Sequence, residues 1–124
     1  MSTFSLNKMP AMTLEQRRSQ FAWDSVQGCN KDYVKLAKSA PALIMNNGLM
    51  QTLSYLQDKK HSELLKHLRE WLATRYPEHF GQAKDFQSLI GKLLKVDSSQ
   101  YRQATEESLL LLRWIRQFAA ALGA

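Results

Sequence analysis

From Asp97 to Gly123 the chain carries one uninterrupted helical pattern. Tyr101, Ala104, Ser108, Leu111, Ile115, Phe118 and Leu122 recur at alternating spacings of three and four. That interval returns each side chain to the same face of an α-helix, so the seven form one continuous contact stripe. Asp97-Ser98-Ser99 supplies the cap for this last and longest helix, and Gly123 ends it. No segment elsewhere alternates in twos with β-branched enrichment, and no tight hairpin signal separates two strand-like runs. The pattern predicts an all-α fold.

The remaining helices are read from their caps and breakers. Thr13-Leu14-Glu15-Gln16 matches a capping box, predicting a first helix to about Gln27 that Gly28 ends and that buries Phe21, Ala22 and Val26. Asn30 can cap a second helix carrying Tyr33, Val34, Leu36 and Ala37. Pro41 is expected to stop it at about Ser39 and to open a third. Ala42, Leu43, Leu49, Met50, Leu53 and Leu56 continue at helical spacing to about Asp58. Asn46-Asn47-Gly48 has turn composition, but the apolar period is the same on both sides. One helix with Gly48 at a close crossing is therefore expected. A fourth helix covers about Ser62 to Arg75, with Leu64, Leu65, Leu68, Trp71 and Leu72, and Tyr76-Pro77 ends it. Glu78 to Ala83 reads as a loop around Gly81. A short fifth helix follows with Phe86, Leu89, Ile90, Leu93 and Leu94. The organisation expected is a flexible lead-in over residues 1–12, containing Pro10, and a single compact domain of about six helices over residues 13–124.

At 124 residues the chain has the size of one domain, and 44% hydrophobic with 23% charged residues is a globular balance. No apolar run approaches the roughly 20 residues needed to span a bilayer, and no secretory signal is visible, so a soluble cytoplasmic protein without a membrane partner is expected. Cys29 is alone, which leaves no internal disulfide and no cysteine metal cluster. It reads as a small thiol in or near the core.

Catalytic patterns are absent from the sequence. His61 and His67 are six apart and lie on different helix faces, so with His79 they read as exposed or capping residues rather than metal ligands. Ser39, Ser62, Ser98 and Ser99 fall where caps are expected, and none sits in a nucleophile elbow. Glu106 and Glu107 point about 100° apart, which makes them poor acid/base mates. Glu106 shares a side with Arg102 and Arg113, as on a solvated face. Asp24 and Glu70 could converge only through the fold. No phosphate-cradling loop, dinucleotide fingerprint or calcium loop occurs. The sequence points away from an enzyme and implies no cofactor and no metal.

Charge is more informative. Seventeen Lys and Arg against eleven Asp and Glu give a net charge of +6 and a pI near 9.6, a balance that favours polyanionic partners. Lys31, Lys35 and Lys38 follow at spacings of four and three and line one edge of the second helix. Arg17 and Arg18 precede them and Lys59-Lys60 closes the third helix. The first sixty residues hold eight basic residues against four acids. Such an edge can track phosphates, and it can equally be an ordinary solvated face. Trp23 and Trp71 read as core. Trp114 lies off the main stripe between Arg113 and Arg116, which marks a second packing face or a protein interface.

The run Pro41-Ala42-Leu43-Ile44-Met45-Asn46-Asn47-Gly48-Leu49, continuing through Gln51, Leu53, Tyr55 and Leu56, resembles the hallmark of the type III-B CRISPR small subunit. So does Tyr101-Arg102-Gln103-Ala104-Thr105-Glu106-Glu107-Ser108-Leu109 with Leu111 to Ala119 after it. Leu14-Glu15-Gln16-Arg17, Ala22, Val26 and the segment His67-Leu68, Trp71-Leu72 are similar to it as well. Together they span about Leu14 to Leu122 in order. The resemblance implies a compact helical, non-catalytic protein whose copies stack as a minor filament beside the backbone subunits that hold the guide RNA. Target RNA then pairs in the groove between the filaments. The implied partners are the backbone and large subunits, neighbouring copies of itself, and guide and target RNA. The family supplies no invariant ligand to carry over, so Lys31, Lys35, Lys38, Arg17 and Arg18 toward RNA, and Arg113, Trp114 and Arg116 toward protein, rest on the residue pattern. A free-standing DNA-binding regulator and a helical adaptor are the rival readings. Against the regulator, no short helix pair has a polar second helix rich in base-reading residues.

Overall fold

Four of the described helices start on a side-chain oxygen that accepts an otherwise unpaired amide proton. A computed structural model describes residues 11–59 and 61–123; the first ten residues of the expected lead-in, Lys60 and the side chain of Ser62 lie outside the described residues. Thr13 and Gln16 form the reciprocal capping box (3.0 and 2.7 Å) that opens α1, Leu14–Val26. Asn30 Oδ1 accepts from the Tyr33 amide at 2.8 Å to open α2, Lys31–Asn47. Then come α3, Leu49–Asp58, α4, Ser62–Arg75, and the four-residue α5, Pro77–Phe80. Asp85, not foreseen as a cap, forms a box with Ser88 to start α6, Phe86–Lys95. Asp97 does the same with Gln100 for α7, Ser98–Ala121. Each such cap contributes about 1 kcal/mol.

The described chain is all α-helical, with α7 through the middle against α1, α2 and α4, while α4 also meets α3, α5 and α6. The stripe on α7 is the core's spine: Ala104, Ser108, Leu111 and Ile115 are fully buried, joined by Leu112 and Ala119. They face Ala22 and Val26 of α1, Ala37, Ala40 and Ile44 of α2, and Leu68 and Leu72 of α4. Each fully buried Leu or Ile contributes roughly 1.5–3 kcal/mol. Ser108 sits there because its hydroxyl donates to the Ala104 carbonyl at 2.8 Å. Leu122 is exposed just beyond the helix, so the stripe ends at Phe118. Trp23, expected in the core, is 40% exposed.

Three local expectations are corrected. Pro41 does not end a helix: α2 runs through it. Its apolar positions Tyr33, Val34, Ala37, Ala40 and Ile44 keep helical spacing across the proline, and their packing outweighs a penalty of about 3 kcal/mol. Gly48 does end one. Its backbone at φ 89° and ψ 164° is non-helical, so α2 and α3 are separate helices. Gly48 N–H closes α2 on the Ile44 carbonyl at 2.8 Å, and its own carbonyl accepts from the Thr52 amide and hydroxyl to begin α3. Tyr101 Oη accepts from the Met50 amide at 3.1 Å and so replaces a cap on α3. The segment read as a loop over Glu78 to Ala83 contains α5 and buries Phe80 and Ala83. Arg69 ties it down by donating to the Ala83 carbonyl at 3.1 Å.

A methyl group at Gly48 would meet only Tyr101 Oη at 3.9 Å, so its cost is conformational rather than steric. Gly48→Ala should lower unfolding stability by about 1–3 kcal/mol, because that region of backbone space is almost confined to glycine. Gly91→Ala, inside α6 with open space around its Cβ, should raise it by roughly 0.5–1 kcal/mol. Urea denaturation of both variants checks the pair of opposite signs.

Candidate nucleic-acid interface

Lys31, Lys35 and Lys38 are all exposed along α2, whose opposite side carries the buried Tyr33, Val34, Ala37 and Ala40. Packing of that inner face on α7 fixes which way the three amines point. None of them takes part in an ion pair among the described residues. The helix therefore presents a one-sided row of cations. Lys59 is also exposed, at the end of α3.

Arg17 and Arg18 part company. Arg17 is exposed, but Arg18, grouped with it by its place in the sequence, is 8% exposed and its charge is consumed inside the protein. Neighbours on a helix point about 100° apart, which puts Arg18 on the side of Ala22 and Val26. Its Nε donates to Glu107 Oε2 and its Nη2 to Oε1 at 3.0 Å. Trp71 Nε1 donates to Oε2 at 3.0 Å and Arg75 Nε to Oε1 at 3.2 Å. Glu107 is only 3% exposed and ties α1, α4 and α7 together. Burial pushes its carboxyl up, but the hydrogen bonds from Arg18 and Trp71 and the charges of Arg18 and Arg75 outweigh this and hold it below the ordinary value. Glu107 is not singled out by any sequence motif. A signal was nevertheless present: it lies three residues after Ala104 and four before Leu111, on the buried side.

Arg113 and Arg116 are exposed on α7 and flank the half-buried Trp114. Trp114 stacks obliquely on Phe118, centroids 5.3 Å apart, and Phe118 meets Trp23 edge-on at 5.2 Å. An aromatic cluster with a cationic border thus lies where α1 meets α7.

A larger concavity, about 420 Å³, opens between the α1–α2 connection and α4, with Cys29, Tyr33, His61, Glu63 and His67 on its walls. His67 is not the exposed or capping residue expected: it is half-buried, with Nδ1 2.7 Å from Tyr33 Oη. Burial lowers the imidazole's pKa, against Glu63 and Glu70, and raises the phenol's. The Tyr33 hydroxyl and His67 Nδ1 share this one hydrogen bond. His61 sits at the start of α4 and makes no side-chain cap, and His79 is half-buried beside Glu78. Among the described residues, no three His, Cys, Asp or Glu side chains converge to hold a metal ion. Nor is any helix long and apolar enough to cross a membrane.

Fold and surface define a small, basic protein, all-helical among the described residues and built around the buried Glu107 carboxylate. Residues 14–122 match the family described as CRISPR-associated protein (Cas_Cmr5), and the chain belongs to that family. It is a small subunit of the type III-B CRISPR effector, the Cmr complex.

Removing one partner of a buried ion pair strands the others, at a cost of about 3–5 kcal/mol, so Glu107→Ala should destabilise by that amount. Because the folded-state pKa of Glu107 is depressed, its contribution is fully present above the ordinary value of 4.5 and is lost as pH falls through the folded value. Wild-type stability should therefore drop on acidification by more than that of Glu107→Gln, which carries no titrating group there. Denaturation midpoints between neutral and strongly acidic pH measure the difference.

Proposed function

We propose that this protein is a non-catalytic, cytoplasmic structural subunit that lines the guide and target RNA groove of the type III-B effector. Copies of it form the minor filament beside the backbone subunits. The observation that carries the reading is the α2 edge: Lys31, Lys35 and Lys38 are exposed, on one side of the helix and without carboxylate partners among the described residues. Lysines on a helix edge act as point charges, so they hold phosphates without reading sequence. Arg17, exposed on α1, offers a further cation toward RNA and Arg18 does not. Arg113, Trp114 and Arg116 are the protein-facing patch, toward the backbone or large subunit or a neighbouring copy, because Trp and Arg are enriched at such interfaces and the two exposed arginines flank the half-buried Trp114. Membership of an effector-complex family speaks against a free-standing DNA-binding regulator.

Two measurements test this reading. Replacing Lys31, Lys35 and Lys38 with Ala should lower the salt slope of target-RNA binding by the reconstituted complex by about 0.7 for every phosphate left without its lysine, nearly independent of RNA sequence. Folding should change by less than about 0.5 kcal/mol. Equal slopes with full incorporation would return the lysines to a solvated face, and failure to incorporate would make the edge a protein interface. The purified chain, incubated with labelled RNA and DNA with and without divalent ions, should cleave neither. Cleavage abolished by His67→Ala or Glu106→Ala would refute the non-catalytic reading.

A further inference from the structure

A second, smaller pocket of about 230 Å³ lies between α1 and α4; Phe21, Trp71, Arg17, Arg75, Thr74 and Asp24 line it, together with Met12, Leu14 and Gln20. Its volume is below the roughly 300 Å³ at which pockets begin to enclose a whole drug-sized molecule, which suits one planar ring system inserted from a longer chain. Two aromatic side chains are among the lining residues. Phe21 and Trp71 sit with centroids 5.2 Å apart and planes at 47°, and the half-buried Phe21 leaves aromatic surface open to the pocket.

Two of the lining side chains, Trp71 and Arg75, are held by Glu107. Its carboxylate accepts from the Trp71 indole at 3.0 Å and from Arg75 Nε at 3.2 Å. Arg18 already balances the Glu107 charge, so Arg75 remains as a net cation at the pocket wall. With Nε bonded to Glu107 and its Cζ 4.6 Å over the Tyr76 ring, Arg75 is fixed in place, while its two terminal nitrogens have no acceptor among the described residues. Arg17 is exposed on the neighbouring helix. Asp24, also in the lining, accepts from Gln20 Nε2 at 3.0 Å and retains capacity to accept from an amino group. Aromatic rings, two guanidinium groups and a hydrogen-bond acceptor lining one pocket are the chemistry of a base next to a phosphate. A pre-fixed site of this kind also loses little entropy on binding.

We propose that this pocket captures one unpaired nucleobase of RNA, stacked on Phe21, with its adjoining phosphate between Arg17 and Arg75. The inference rests on the reading that the chain borders the RNA groove, but it concerns a different surface from the α2 lysines. Asp24 favours bases that carry an exocyclic amino group, adenine, cytosine and guanine, over uracil.

The test is an NMR titration of the full-length protein with AMP, CMP, UMP and ribose 5-phosphate at low salt, followed by short single-stranded RNA. AMP and CMP should shift the Phe21, Thr74 and Arg75 backbone amides and the Trp71 indole N–H; UMP should do so more weakly and ribose 5-phosphate hardly at all. Arg17→Ala and Phe21→Leu should each weaken single-stranded RNA binding at least about fivefold, and Thr74→Phe, which adds bulk to the lining from an exposed position, should do the same in a protein whose core is untouched. Equal responses to AMP and ribose 5-phosphate, or shifts that avoid the pocket, would overturn the proposal. If the pocket stays silent while the lysine-to-alanine protein still shows its reduced salt slope in the complex, the pocket inference alone fails. If neither surface responds to RNA, the wider reading fails with it.

Discussion

Taking the Glu107 carboxylate out of water costs several kcal/mol, and the interior offsets that cost only by giving it a full set of donors. Arg18, Trp71 and Arg75 supply four hydrogen bonds from two other helices. Three elements must therefore meet in one register before the charge is tolerated. A sliding of α1 or α4 along α7 that apolar side chains could repack would leave the carboxylate or a guanidinium unpaired. The hydrophobic stripe on α7 supplies most of the burial energy, while the buried charge selects one arrangement of the helices around it.

The surfaces follow from that arrangement. With α7 placed, Ala37, Ala40 and Ile44 seat α2 on it, and the amines of Lys31, Lys35 and Lys38 are turned to solvent on the other side. Small residues at 37 and 40 allow α2 to lie close to the core despite Pro41 between Ala40 and Ile44. Gly48 then changes the backbone direction, so that Leu49, Leu53 and Leu56 of α3 are buried from a separate helix. Tyr101 of α7 completes that junction through the Met50 amide, which links the redirected helix back to the spine.

Much of this is legible in the residues because it is local. Thr13, Asn30 and Asp97 each cap the helix they are expected to cap, since a cap depends on three or four neighbouring residues. Pro41 and Gly48 mislead in opposite directions for one reason: both lie in an apolar pattern with unbroken spacing. At Pro41 tertiary packing overrides the local breaker, and at Gly48 the backbone turns while the period carries on. The α2 lysines can be placed on one edge from spacing alone. Arg18 cannot be told from Arg17 without knowing that Glu107 waits for it 89 positions away. His67 is hidden likewise, because its partner Tyr33 lies on another helix.

The central claim is that a rigid helical core holds the α2 amines against RNA phosphates within the effector. Lysine acetylation footprinting of the reconstituted complex, read by mass spectrometry with and without target RNA, tests it directly. Lys31, Lys35 and Lys38 should become protected when target RNA pairs with the guide, while Lys66, exposed on α4, reacts at an unchanged rate. Equal acetylation of the three α2 lysines in both states, with RNA bound, would contradict the account.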